Sequence, residues 1–310
     1  MVKVGIIGAD KPIAGELLRI LIHHPETDIR ALVAPNLTGH SLSSFHHGFI
    51  GESNLTFTDK INSEDLDLII SLNEEMDSND FIRLAKENEN LKFIFIDYKN
   101  KGEKIDEVEI GLSEINRKAL VRGAKIACIL NPAVAPTLIA LIPLARYLLL
   151  NSEIKIEVYL PSDIFFDIHD DSIKYKDCIR EQLELNQNSF NKDISLTISP
   201  DSSTERGAKT QITVKSALPI DEIEKIYDQI YDDHNFSFYT GKELSTLEVE
   251  GTQKVLIRFS KPDQDTLRID IVNDARMRGG AGDIVHVMNL FFGLHEKTGL
   301  DLKPSRFRIN

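Results

Sequence analysis

The sequence predicts an α/β protein of two domains, a doubly wound parallel sheet followed by a mixed α+β domain. Three observations carry this. The chain has 310 residues, and at roughly 100–200 residues per domain that length suits two domains. Its first half alternates short apolar runs with amphipathic stretches, the pattern of a parallel sheet covered on both faces. Its second half has strands with apolar/polar alternation and fewer helices between them, the pattern of an antiparallel sheet with helices on one face.

Taken in order, Val2–Ile7 is an apolar run and reads as a buried strand. Gly15–His24 carries Leu17, Leu18, Leu21 and Ile22 at helical spacing, and Pro25 stops it. Ile29–Val33, Leu66–Leu72 and Phe93–Asp97 read as strands, with Ser78–Asn88 as a helix before the last of them. Lys125–Leu130 is another strand, and Pro136–Leu150 a buried helix with proline in its first turn. In the second half Ile154–Leu160, Ile194–Ser199, Gln211–Lys215, Val255–Ser260 and Leu267–Val272 read as strands, and Ile173–Asn188 and Pro219–Asp232 as helices. A last helix, Asp283–Thr298, is followed by Gly299 as a stop signal. The expected domains are 1–135 with 282–310, of dinucleotide-binding type, and 136–281, an α+β domain for substrate and dimerisation.

Composition narrows the function classes. Hydrophobic residues are 42% and charged residues 27% of the chain, which fits a globular protein and not a disordered one. A net charge of −13 repels phosphate backbones, so nucleic acid is not an expected partner. Two cysteines, Cys128 and Cys178, make neither a disulfide framework nor a thiolate cage, and point to a reducing compartment. The most apolar segment, Leu138 to Leu150, is broken by Pro143 and Arg146 and falls short of the ~20 residues of a membrane span. The N-terminus runs straight into a strand with no leader-like segment, so the expected location is the cytoplasm. His40, His46 and His47 lie close in sequence, and His286 and His295 lie nine apart on the predicted last helix. Neither spacing gives a ligand face, so no metal is expected. No GxSxG elbow is present.

The first strand ends in Gly8-Ala9-Asp10-Lys11-Pro12-Ile13-Ala14-Gly15. A dinucleotide-binding domain keeps its glycine-rich turn here: the first glycine makes the turn, the second admits pyrophosphate, and the third lets helix pack on strand. Gly8 is present, Ala14 stands for the third glycine and Lys11 for the second. Lysine lacks glycine's freedom, but its charge attracts phosphate. After Val33 come Ala34-Pro35-Asn36-Leu37-Thr38, with neither an acid for a ribose hydroxyl nor a base for a 2′-phosphate.

Three ordered stretches resemble the N-acetyl-gamma-glutamyl-phosphate reductases, within the semialdehyde dehydrogenase superfamily. The first is Val4-Gly5-Ile6-Ile7-Gly8-Ala9 with Ala14-Gly15-Glu16-Leu17-Leu18-Arg19 and His24-Pro25-Glu26. The second is Ile110-Gly111-Leu112-Ser113-Glu114-Ile115-Asn116-Arg117 with Asn131-Pro132-Ala133-Val134-Ala135-Pro136-Thr137. The third runs from Asp274 to Gly282 and through Asn289-Leu290-Phe291-Phe292-Gly293-Leu294. The resemblance implies a Rossmann-like first domain, NADP as cofactor, a homodimer built through the second domain, and a reaction in which a cysteine thiolate attacks an acyl phosphate and NADPH reduces the thioester. It also implies that Arg278-Gly279-Gly280 reaches the nicotinamide end of the cofactor, with packing of the last helix as the competing role.

The chain departs from the family at the reacting groups. Val134 stands where the family has its cysteine, and valine has no lone pair to attack with. The helix where the family carries its histidine has none, and His169 reads as a solvent-facing residue of an acidic loop. Phe165-Phe166-Asp167 lies where the family has its substrate loop. No catalytic residue is therefore assigned. The cofactor-binding positions are Gly8, Ala9, Lys11, Ala14, Arg278, Gly279 and Gly280. The first reading is a relative that has lost acyl-phosphate reduction and retains nucleotide or metabolite binding. The alternatives are an NAD(P)-dependent oxidoreductase working by direct hydride transfer, and a structural partner of an active paralogue.

Overall fold

A computed structural model describes residues 1–73, 78–96, 107–168 and 171–306. They form two compact units. The first comprises residues 1–73, 78–96, 107–130 and 280–301, the second residues 131–168, 171–279 and 302–306. Asp97, His169 and Asp170 lie outside the described residues.

In the first unit, β1 (Val2–Ile7) leads into α1 (Pro12–Leu21) and β2 (Thr27–Val33), then the short α2 (Leu42–Phe45), β3 (Phe57–Thr58) and β4 (Leu68–Ser71). Then follow α3 (Ser78–Glu87), β5 (Lys92–Ile96), β6 (Glu109–Ile110), α4 (Ser113–Arg122) and β7 (Ile126–Ile129). The seven strands are parallel, in the order β3-β2-β1-β4-β5-β7-β6. Val4, Ile6, Leu68, Ile70, Phe93, Ile94 and Ala127 are fully buried, as continuous apolar runs covered on both faces require. Strand order reverses at β1, with β2 on one side and β4 on the other. The carboxyl ends of β1 and β4 thus meet at the switch point where such sheets bind ligands. α1 begins three residues before the predicted Gly15, because Pro12 arrives with its φ already set for a first helical position.

The second unit opens with α5 (Val134–Arg146) and β8 (Ile154–Pro161). It continues through α6 (Ser162–Ile168), α7 (Ser172–Asn186), β9 (Ile194–Asp201), β10 (Gly207–Lys215), α8 (Ile220–Tyr231), β11 (Ser237–Tyr239), β12 (Val255–Asp263) and β13 (Thr266–Asp274). Its six-stranded sheet runs β11-β12-β13-β10-β8-β9. The β8/β9 and β11/β12 pairs are parallel and the others antiparallel. Every residue of α5 from Val134 to Ala145 is buried. Pro143 has no N–H for the carbonyl of Ile139, and the Tyr231 hydroxyl on α8 donates to it instead at 2.6 Å. The Tyr227 hydroxyl donates to the next carbonyl, Ala140. α5 ends at Arg146, earlier than the predicted Leu150.

The alternation in β10 and β13 places Ile212, Val214, Leu267, Ile269 and Ile271 among the buried core. The opposite face carries Lys209, Gln211, Thr213, Arg268 and Asp270, all partly exposed. The free face of this sheet is therefore polar and charged.

The chain's last helix, α9 (Ala281–Phe291), belongs to the first unit and packs on α1, α4, β5 and β7. It stops well before the predicted Thr298. Gly293 takes a φ of +63° and turns the chain, and Gly299 makes a second turn at +74°. His286 is thus helical and His295 is not. A polar knot fastens the segment beyond α9. Asn289 donates to the carbonyls of Glu296 and Thr298 at 3.1 and 2.9 Å, and its Oδ1 meets His24 Nε2 at 3.1 Å. Burial lowers the His24 pKa, against the opposing pull of the Asn289 bond. His286 Nε2 lies 2.9 Å from Glu296 Oε2, whose other oxygen pairs with Arg117. At the helix end Lys92 Nζ donates to the Phe291 carbonyl and sits 4.9 Å from the Phe292 ring centre, a cation complementing the helix C-terminus.

Glu296 should make the protein acid-sensitive. The hydrogen bond from His286 holds its carboxyl at about 2, against an ordinary 4.5, with Arg117 adding to the effect. A depressed carboxylate pKa gives stability that is full above the unfolded value and lost as pH falls through the folded one. Denaturant unfolding should therefore show about 2–3 kcal/mol draining away as pH falls from 4.5 toward 2. Glu296→Gln should flatten that part of the curve. A variant with the wild-type slope would assign the acid sensitivity elsewhere.

Candidate functional site

In the first unit the site residues gather on the turn between β1 and α1. Gly8 has a φ of +79°, a conformation that favours glycine. A Cβ there would come within 2.6 Å of Asn73 Oδ1, just beyond β4, so Gly8 and Asn73 are pressed together at the switch point. The N–H groups of Gly8 and Ala9 both bond the Val33 carbonyl at 3.0 and 3.1 Å, which ties the turn to the end of β2. Ala14 is fully buried, in keeping with the need for a small residue at the third glycine position.

Lys11 is exposed and serves as the N-cap residue of α1, with no side-chain cap on the helix and no acid in its first turn. Pro12 removes one of the orphan N–H groups of that turn. A cationic side chain beside an uncapped helix start suits a phosphate-bearing ligand. The positive φ of Gly8 is the tight turn that the first glycine of a dinucleotide-binding loop supplies. At the end of β2, Pro35–Leu37 form a single 3₁₀ turn without a charged side chain. The turn therefore fits a phosphate group, and the β2 end brings no base for a 2′-phosphate.

His46, read from the sequence only as one of a cluster without a ligand face, braces the β1–α1 turn. Its Nε2 lies 2.9 Å from the Ala9 carbonyl, and a Cβ on Gly15 would stand 3.2 Å from its Nδ1. Its ring is edge-on to Phe45, with centroids 4.9 Å apart, and also meets Phe49 and Phe57. An imidazole thus braces the β1–α1 turn from the side. The sequence signal was the small Gly15 at the start of α1. Among the described residues no group of three or more His, Cys, Asp or Glu side chains is placed to hold a metal ion.

In the second unit, Val134 is the first residue of α5 and is 1% exposed. Asn131 Oδ1 accepts from the N–H groups of Ala133 and Val134 at 2.9 and 3.0 Å, filling the helix start with a side-chain acceptor. Thr137 Oγ1 donates back to the Ala133 carbonyl at 2.8 Å. A cysteine at position 134 would sit where a helix N-terminus lowers thiol pKa. An isopropyl group there has no proton to lose and no lone pair to donate.

Neither cysteine of the chain lies on α5. Cys128 lies on β7 in a core with Phe81, Phe93 and Phe95. Cys178 is buried on α7, a helix without histidine. Phe165, Phe166 and Asp167, expected in a loop, are helical residues of α6.

Arg278 and Gly279 are closely packed within the second unit. Arg278 is fully buried, its Nε donating to the Gln253 carbonyl at 3.1 Å. Gly279, at a φ of +73°, has its α-carbon so close to Pro132 that a Cβ would lie 2.3 Å from the Pro132 nitrogen. This holds the turn after β13 against the start of α5. Gly280 belongs to the first unit as the N-cap residue of α9, where its carbonyl accepts from Ile284.

Comparison with known proteins agrees with these features. A family profile described as semialdehyde dehydrogenase, NAD binding domain, matches residues 3–122. The N-acetyl-gamma-glutamyl-phosphate reductase of Parabacteroides distasonis is 34% identical over 99% of this chain and all of its own length. That of Phocaeicola vulgatus is 32% identical over the same shares. Among solved structures, aspartate semialdehyde dehydrogenase II of Vibrio cholerae, complexed with ASA, has a TM-score of 0.68 at 14% identity, covering 94% of this chain and 98% of that one. The aspartate semialdehyde dehydrogenase of Candida albicans with NADP has a TM-score of 0.67 at 14% identity, over 94% and 98%. At that identity the likeness concerns the fold, a parallel sheet unit joined to a mixed-sheet unit. Full-length identity above 30%, the matched NAD-binding profile and the shared fold together establish that this chain belongs to the N-acetyl-gamma-glutamyl-phosphate reductase family.

Proposed function

We propose that this chain is a nucleotide-binding member of its family that does not carry out the covalent reduction of an acyl phosphate. The observation that carries the reading is Val134. In the reaction named for the family, a nucleophile forms a bond to the acyl carbon as the bond to phosphate breaks, and a nicotinamide cofactor then supplies hydride. The first step needs a lone pair at the start of α5, and the side chain there is a buried isopropyl group. α7 offers no histidine to take a proton. The retained parts are those of binding: the glycine turn, the small Ala14, Lys11 at the helix start, and the Asn73 and His46 side chains that shape the turn. NADP is the cofactor the family implies, held through its phosphates at Lys11 and without a basic partner at the end of β2. The two buried free cysteines fit a cytoplasmic setting.

The reading includes a homodimer formed through the free face of the second unit's sheet. That face carries both signs of charge, Lys209 and Arg268 beside Asp270. A twofold axis can then set each sign against its opposite. Light scattering at micromolar concentration should give twice 35.0 kDa. A monomer mass would sink it.

Binding should be weak. A good charge-assisted contact contributes about 1.5–3 kcal/mol, and the 2′-phosphate contact is missing. Titration with NADPH should give a dissociation constant above ~1 μM, and Lys11→Glu should weaken it a further ~10-fold or more. Unchanged affinity in Lys11→Glu would place the nucleotide away from this turn.

Turnover should be absent. Loss of a nucleophile alone costs ~10⁶ in kcat. NADPH oxidation with N-acetylglutamyl phosphate should stay at background for wild type. Val134→Cys should stay there too, because nucleophile and base act as a unit. Wild-type turnover above background would overturn the reading. Turnover in Val134→Cys alone would show the remainder of the site to be intact.

A further inference from the structure

In the second unit, α8 and the edge strand β11 leave a small cavity between them, about 210 Å³ in volume. Tyr227, Tyr231, Tyr239 and Ile257 line its apolar part. β11 runs parallel to β12 with Tyr239 beside Ile257, on the face that α8 covers. The rings stand at steep angles. Tyr227 and Tyr231 lie 5.9 Å apart between centres at 73°, and Phe259 meets Tyr227 at 60° and Tyr239 at 41°. Rings so set turn π faces in several directions, the geometry of an aromatic cage. Two of them are fixed. The Tyr227 and Tyr231 hydroxyls donate to the Ala140 and Ile139 carbonyls of α5, which does not line the cavity. Both residues thus offer the cavity ring surface that is held in place before any ligand arrives.

The rim is acidic. Asp228 and Asp232 line the cavity one helical turn apart, and among the described residues neither forms an ion pair. Asp228 Oδ2 accepts from the neutral Tyr239 hydroxyl at 3.0 Å. Lys225, the one Lys or Arg between residues 221 and 233, pairs with Glu222 and Asp221. His234, also on the rim, stands edge-on to Tyr231 and 3.8 Å from Asp233. No basic residue occupies the last turn of α8, so the partial negative charge of the helix C-terminus adds to that of the acids. Ring faces, carboxylates and helix end all favour positive charge at one place.

We propose that this cavity binds a small organic cation of the quaternary-ammonium type. A neutral apolar group would fill the space and gain nothing from the carboxylates. A primary ammonium is strongly hydrated and finds no hydrogen-bond acceptor along the ring walls, so it stays outside with the acids. An ammonium whose nitrogen is covered by methyl groups packs against the rings and still carries the charge that their π faces and the two carboxylates attract. The volume, about 210 Å³, is below the ~300–1,000 Å³ of pockets for drug-sized ligands, and suits a head group of this kind. The net charge of −13 favours the approach of cations. The proposal stands independently of the nucleotide reading above.

The test uses the full-length protein at pH 8 and constant ionic strength, with choline as the probe. Its controls are 3,3-dimethylbutan-1-ol, the neutral isostere with carbon in place of nitrogen, and methylammonium. Calorimetric titration should show choline bound ~10-fold or more tightly than either control. The methyl proton resonances of choline should move upfield on binding, as they do over aromatic rings. Tyr239→Leu should erase the preference for choline over the neutral alcohol, and Tyr239→Phe, which keeps the ring, should retain it. Asp228→Asn should weaken choline several-fold and leave the alcohol unchanged. Four results would overturn the proposal. Wild type could fail to bind choline at millimolar concentration, or bind choline and the alcohol equally. Methylammonium could bind as well as choline with no upfield shift, which would leave only a cluster of surface acids. The preference could also survive Tyr239→Leu unchanged. Asp228 is exposed on α8, so Asp228→Asn decides the matter if Tyr239→Leu fails to fold.

Discussion

A helix buried along its whole length must have every polar group answered from inside the protein, and α5 sets that demand for the second unit. Its start is filled by Asn131, whose carbonyl and side chain take the first N–H groups. The carbonyl that Pro143 leaves open is answered by Tyr231, and its neighbour by Tyr227. Those hydroxyls fix where α8 lies. Leaving one such carbonyl unanswered costs about 1–3 kcal/mol, so the tyrosines and the proline form one arrangement. Gly279 completes it by letting the turn after β13 close onto Pro132 without a side chain in the way.

The same helix fixes the surroundings of residue 134. What positions residue 134 is the Asn131 cap, the burial of α5 and the Gly279 contact, and none of these depends on a thiol. Valine is a good occupant of a buried helix start when nothing is asked of it chemically. Around Val134 the helix start is fully packed, with Asn131 filling it and Val134 itself buried.

Much of the fold was legible in the sequence. β1 matches its predicted span, Val2–Ile7, because a fully buried parallel strand writes itself as an unbroken apolar run. The predicted strands and helices of the second unit fell within a few residues of their observed ends, and α6 (Ser162–Ile168) was not anticipated. The failures have separate causes. β3, β6 and β11 are two or three residues long and too short to show a period. α9 continued on paper to Thr298 because its apolar spacing persists into a segment that is held by the Asn289 and Glu296 side chains instead of a helical ladder. Of the candidate site, Gly8, Lys11 and Ala14 follow from the spacing of the turn after β1, and Val134 was singled out by the family resemblance. Asn73 and His46 could not be placed, since each acts on a residue far away in the chain. Arg278 was singled out by the family resemblance, and its complete burial beside the Gln253 carbonyl is not legible in sequence.

The first unit is discontinuous in the chain, and this bears on synthesis. Its strands are complete by residue 130, but α9 and its knot arrive only after residues 131–279 of the second unit. At about 5–20 residues per second, the ribosome needs roughly 7–30 s to span that interval. Throughout it, the surfaces of α1, α4, β5 and β7 that α9 covers are bare, and His24 has no Asn289 to meet. The second unit can close while the nascent N-terminal sheet waits, and the sheet is the segment that calls for chaperone protection until release.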